Sequence, residues 1–133
     1  MKEKNVERRL AVVLVTDVVC FSRMMGADEE ATLLGLQKHR FAIIDPTIGQ
    51  FRGRIIKSLG DGLLVMFESA SEAVECALKI QRAVVQRNAD VPETKRIRYR
   101  MGINMGEILV EDGDIFGDGV NIAARLQEVA DPD

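Results

Sequence analysis

The chain has 133 residues, of which 47% are apolar and 29% charged, with a net charge of -3 at pH 7. That length supports one domain over residues 1–133 with one core, and the balance is that of a globular chain rather than a disordered one. The mild acidity excludes a global positive field for nucleic acid or anionic lipid, so any phosphate site must be local.

The longest uninterrupted apolar run, Leu10 to Val15, is far below the ~18 residues of a membrane span. Met1 to Arg9 mixes acids and bases, which no signal peptide does. The expectation is a cytoplasmic protein without a membrane span or a nucleic-acid partner. Cys20 and Cys76 have apolar neighbours and no ligand spacing, and read as buried free thiols.

Leu10 to Val15 is apolar on both parities, as in a central strand buried on both faces. Asp28, Glu29 and Glu30 then open a helix reaching toward Phe51, with Leu33, Leu36, Phe41 and Ile44 as its apolar positions. Pro46 is expected to bend or end it. Arg54 to Leu59 and Leu63 to Phe67 read as strands joined across Gly60-Asp61-Gly62. Ser69 with Glu72 forms a capping box that opens a helix through Asn88, with Ala73, Val74, Ala77, Leu78, Ile80, Ala83 and Val84 as its stripe. Ile97, Tyr99, Met101 and Ile103 alternate as a half-buried strand, and Glu107 to Glu111 is expected to pair back as another. Gly119 to Val129 closes as a helix with Ile122, Leu126 and Val129 on one face. The order predicts an α+β fold with a ferredoxin-like βαββαβ core, its sheet mainly antiparallel and its helices packed on it.

That topology brings two acids together. A right-handed crossover makes the second strand run with the first, so Asp17 and Asp61 end on one edge of the sheet. Each has a plain reading as a turn residue. Together they suit a hard cation, which takes carboxylate oxygens plus substrate phosphates. Gly60 and Gly62 would let a triphosphate approach the backbone, and the turn around Val18 to Ser22, with Phe21 in it, could offer amides to it. His39, the only histidine, reads as a surface or packing residue. Arg96, Arg98 and Arg100 share a strand face and read as solvated or acid-paired.

Whole segments carry a stronger signal. Thr16-Asp17-Val18-Val19-Cys20-Phe21-Ser22 and Lys57-Ser58-Leu59-Gly60-Asp61-Gly62 resemble the two metal-binding segments of class III adenylate and guanylate cyclases. Arg100-Met101-Gly102-Ile103-Asn104-Met105-Gly106 is similar to the strand before their nucleotide-binding hairpin. Asp114-Ile115-Phe116-Gly117-Asp118-Gly119-Val120-Asn121-Ile122-Ala123-Ala124-Arg125-Leu126 resembles their transition-state segment. The four stand in family order across nearly the whole chain.

The resemblance implies that Asp17, Asp61 and the Val18 carbonyl bind two Mg²⁺ or Mn²⁺ ions per active site. It assigns base reading to Lys57 and Asp114, and ribose orientation with transition-state stabilisation to Asn121 and Arg125; Phe21, Ser22 and Gly60 join them as substrate-binding candidates. The implied reaction converts ATP to 3′,5′-cyclic AMP and pyrophosphate. Lys57 only donates and ionised Asp114 only accepts, which matches adenine; guanylate cyclases carry Glu at the lysine position. The family also implies a head-to-tail homodimer with shared active sites and regulatory domains in a longer protein. Relatives continue past Asp133 for several tens of residues, so the domain reads as truncated at its C-terminus. Two other readings are a catalytically incomplete nucleotide-binding or dimerisation module, and a receiver-type phosphoacceptor domain, which the Gly60-Asp61-Gly62 hairpin contradicts.

Overall fold

The computed structural model describes residues 6–132. Its strands are β1 (Val6–Val18), β2 (Arg54–Leu59), β3 (Gly62–Phe67), β4 (Tyr99–Glu111) and β5 (Asp114–Phe116). Its helices are α1 (Phe21–Ala27), α2 (Glu29–His39), α3 (Asp45–Gln50), α4 (Ala70–Asn88) and α5 (Asp118–Val129). They form one five-stranded sheet of order β2-β3-β1-β4-β5, with every neighbouring pair antiparallel. The βαββαβ order and the α+β class are as the sequence predicts.

The central strand is β1, and Ala11 to Val15 are buried on both faces because β3 and β4 flank it. On one face Val12, Leu14 and Val18 pack with Ile44, Ile48 and the Cys76, Ile80 and Val84 row of α4. On the other, Ala11, Val13 and Val15 meet Leu64, Ile108, Ile115 and Ala123 of α5. Each side chain sealed in this way contributes about 1.5–3 kcal/mol relative to exposure. Ser69 caps α4 by accepting the Glu72 N–H, and Asp28 caps α2 by accepting the Ala31 N–H.

Several local expectations are corrected. Glu107 to Glu111 does not pair back; it continues β4, and β5 pairs back instead, with Asp114 opposite Glu111. The helical run does not end at Pro46. A π-turn over Arg40–Ile44 precedes α3, and Pro46 occupies its first turn, where no N–H is needed. The short helix α1, which carries Phe21 and Ser22, had been read only as a turn.

Leu33 and Phe41 face solvent, as do Val74 and Leu78 of α4. So do Ile122, Leu126 and Val129, which share a face of α5 but not the buried one. Gly119, Ala123 and Gln127 face the sheet instead. The reason is close approach: a Cβ on Gly102 of β4 would collide with the Ala123 carbonyl and the Gln127 N–H. A helix that near the sheet presents small residues to it. Among the described residues no helix is long and apolar enough to cross a membrane.

Candidate active site

Asp17 is the penultimate residue of β1, directly opposite Arg100 of β4 in the strand register. Arg100 holds it with a fork: Nε donates to Oδ1 at 3.2 Å and Nη2 to Oδ2 at 3.0 Å. The bonds to Asp17, then its charge and those of Cys20 and Asp61, raise the Arg100 pKa above its ordinary value. Reading Arg100 as acid-paired was sound, but its partner was not foreseen, because register cannot be read from alternation alone.

Asp61 sits in the tight turn between β2 and β3. Its Oδ2 accepts the Val18 N–H at 2.9 Å, which ties the hairpin tip to the end of β1. Both carboxylates thus lie on one sheet edge, as the crossover argument requires. The two glycines around Asp61 differ. Gly60 has φ +69° with open space where a Cβ would stand, whereas a Cβ on Gly62 would collide with the Thr16 carbonyl. Gly62 is therefore a packing residue, and only Gly60 leaves the backbone open to a ligand. Phe21 packs against the core, and Ser22 is exposed in the first turn of α1. Cys20 precedes them in a left-handed conformation, φ 56°. It is exposed rather than buried, its sulfur accepting from Arg23 at 3.1 Å. Cys76 is buried as expected, and burial pushes its thiol up to about 11.

A second group forms where β2, β5 and α5 meet. Lys57 Nζ donates to Asp114 Oδ2 at 3.0 Å and lies 5.7 Å from the Phe116 ring centre. The bond to Lys57 comes first and the Ile115 N–H to Oδ1 second in holding the Asp114 carboxyl below its ordinary range. A cavity of about 390 Å³ opens beside the pair, with Lys57, Phe116 and Asn121 in its wall. Asn121 and Arg125 project from the exposed side of α5, one turn apart. Phe116, beside the lysine, was not singled out from the sequence.

Asp17 and Asp61 are absent from the wall of that cavity. Asp61 lines another of about 320 Å³ with Thr16, Ser58, Gly60 and Tyr99. One chain therefore carries two separate groups of candidate residues. Among the described residues, no cluster of three or more His, Cys, Asp or Glu is placed to hold a metal. Two carboxylates and a carbonyl would leave the remaining ligand positions to water or substrate phosphates.

Comparisons with known proteins bear on the family. The family model of the adenylate and guanylate cyclase catalytic domain matches residues 5–133. A Rhizobium meliloti protein provisionally named as an adenylate cyclase is 46% identical over 99% of this chain. An adenylate cyclase of Streptomyces coelicolor is 34% identical over 98% of it. The chain spans only 22% and 32% of those two proteins. A crystal structure of an adenylate/guanylate cyclase/hydrolase from Silicibacter pomeroyi superposes with a TM-score of 0.90 at 48% identity, covering 96% of this chain and 74% of that one. The chain belongs to the adenylate and guanylate cyclase catalytic domain family.

Proposed function

We propose that the chain is the catalytic module of an adenylate cyclase, converting ATP to 3′,5′-cyclic AMP and pyrophosphate. The observation that carries this reading is the Lys57–Asp114 pair, a donor and an acceptor 3.0 Å apart, with Lys57 in the wall of an open cavity. Adenine offers an acceptor at N1 and a donor at N6, so it can replace their mutual bond with one to each. Guanine offers the opposite pattern, and each mismatched polar group costs about 1–3 kcal/mol.

The other edge fits a divalent cation. Asp17, Asp61 and the Val18 carbonyl are hard oxygen donors, and the Val18–Asp61 bond holds them on adjacent backbone. Asp17 already attracts a cationic partner in Arg100. Two Mg²⁺ or Mn²⁺ ions held there would supply charge that favours the ribose 3′-alkoxide and neutralises the phosphates. Asn121 orients the ribose, and the Arg125 fork meets charge developing on the α-phosphate as the 3′-oxygen displaces pyrophosphate. N–H groups of the first α1 turn, at Phe21 and Ser22, and the open backbone at Gly60 receive the phosphate chain.

Because Asp61 and Lys57 line different cavities, the reading includes a head-to-tail homodimer in which each chain supplies one half of two shared sites. Regulatory domains would lie in the remainder of a longer protein.

The test is cyclic AMP formation from ATP with Mn²⁺ at high protein concentration, beside GTP and an Asp17→Ala variant. Product from ATP that vanishes in the variant supports the reading. Metal-dependent ATP binding without product would point to the incomplete nucleotide-binding module instead.

A further inference from the structure

A cavity of about 500 Å³ lies away from both groups, between α1–α2 and the connection from α4 to β4. None of the residues assigned to nucleotide or metal lines it. Its volume is that of a small-molecule site. Buried Ile97 and half-buried Met24 give it an apolar floor, with Ala27 and Ala31 on its exposed side. Three cations stand at its rim: Lys38, Arg87 and Lys95 are exposed, and none has a carboxylate partner among the described residues.

The polar wall is mostly satisfied from within. Thr32 donates to the Met24 carbonyl at 3.1 Å, and Asn88 to the Ile97 carbonyl at 3.0 Å. Asp28, the single acid, is committed to the Ala31 N–H. His39 is the exception. The residue is 5% exposed, and its Nδ1 meets the Tyr99 hydroxyl at 3.0 Å. Its Nε2 has no partner among the described residues, yet it is not among the sealed polar atoms. His39 is itself one of the residues lining this cavity.

Among the described residues the Tyr99 hydroxyl has no other acceptor for its proton. It therefore donates to Nδ1, which leaves Nε2–H as a donor facing the cavity. Burial first, then the Arg87 charge, lowers the His39 pKa, so the ring is neutral and that N–H is its one free donor. An inward N–H above an apolar floor, rimmed by three unpaired cations, has a definite complement. We infer that this cleft binds a small organic anion with an apolar tail, of the fatty-carboxylate class. The tail lies on Met24, Ala31 and Ile97, and the carboxylate meets His39 Nε2–H and the rim cations.

The chain has one tyrosine and no tryptophan, so its ultraviolet emission reports Tyr99, one hydrogen bond from the ligand. The experiment titrates the full chain with decanoate and follows Tyr99 emission and heat. Two variants and two control probes accompany it. The Lys38→Glu/Arg87→Glu double variant changes exposed side chains only, and Ala31→Trp, followed by heat alone because its indole masks Tyr99, fills the apolar side; circular dichroism checks that both fold. Decanol carries the tail without charge, and inorganic phosphate the charge without the tail.

The expected result is saturable decanoate binding, weakened about tenfold or more by the double variant and lost in Ala31→Trp. Decanol and phosphate would bind far more weakly. No saturable binding, or an affinity unchanged by both variants, overturns the inference. Equal binding of decanol reduces the cleft to an apolar gap, and equal binding of phosphate to a plain anion site; either overturns it too. The outcome is independent of cyclase activity.

Discussion

The two halves of the candidate site are built by different means. At the Asp17–Asp61 edge, sheet register does the placing: Asp17 faces Arg100 across β1–β4, and the Val18 backbone N–H fixes Asp61. Its carboxylates are already engaged. Beside β5 and α5, Lys57 and Asp114 bridge segments 57 residues apart, while Asn121 and Arg125 stand exposed without side-chain hydrogen bonds among the described residues. The first half is held by backbone and resists displacement. The second is held by side chains and can reorganise around a base. Substitutions in the first should disturb structure and function together, and those in α5 should disturb function alone.

The largest expected effect sharpens that contrast. Arg125→Ala should lower turnover by about 10²–10³ while leaving the melting temperature unchanged, because the exposed side chain makes no hydrogen bond or ion pair among the described residues. Steady-state rates beside a thermal melt check both parts. Next, Lys57→Glu should cut turnover of ATP by about 10–100-fold and raise the ratio of GTP to ATP use, read by product analysis.

At the other half, Gly62→Ala should destabilise the chain by about 1–3 kcal/mol in urea, since its Cβ meets the Thr16 carbonyl. Gly60→Ala, facing open space at φ +69°, should cost less.

The smallest effect is a pH dependence. The His39 pKa is lowered in the folded chain, so below its unfolded value of about 6.5 the unfolded state binds the extra proton more readily. Stability from this group is complete above that value and is lost as pH falls through it toward the lowered one. Melting temperature against pH should decline on that side, and His39→Gln should flatten the slope.

Much of this was legible beforehand. The double-sided apolar run of β1, the Ser69 cap and the Gly60-Asp61-Gly62 hairpin were visible as pattern, and the crossover rule put Asp17 and Asp61 on one edge. What stayed hidden depends on proximity between distant segments. Gly106 falls between the two strands that the pattern suggests, yet β4 runs through it, and Gly102 lets α5 lie against the sheet. For the same reason Ala123 is buried and Ile122 is not, the reverse of what hydrophobicity suggests. The Arg100–Asp17 fork needs the register of two strands 83 residues apart, which no local pattern contains. Segment resemblance named Lys57 and Asp114 as a base-reading pair, but not that they bond to each other without a base.

The most direct test of the shared-site account is complementation. Asp17→Ala and Arg125→Ala each disable a different half, so each should be inactive alone. Mixed in equal amounts, half of the dimers pair one of each and carry one intact site, which should restore cyclic AMP formation from ATP to about a quarter of the unsubstituted rate. No recovery on mixing, with the unsubstituted chain active under the same conditions, would contradict two chains sharing each site.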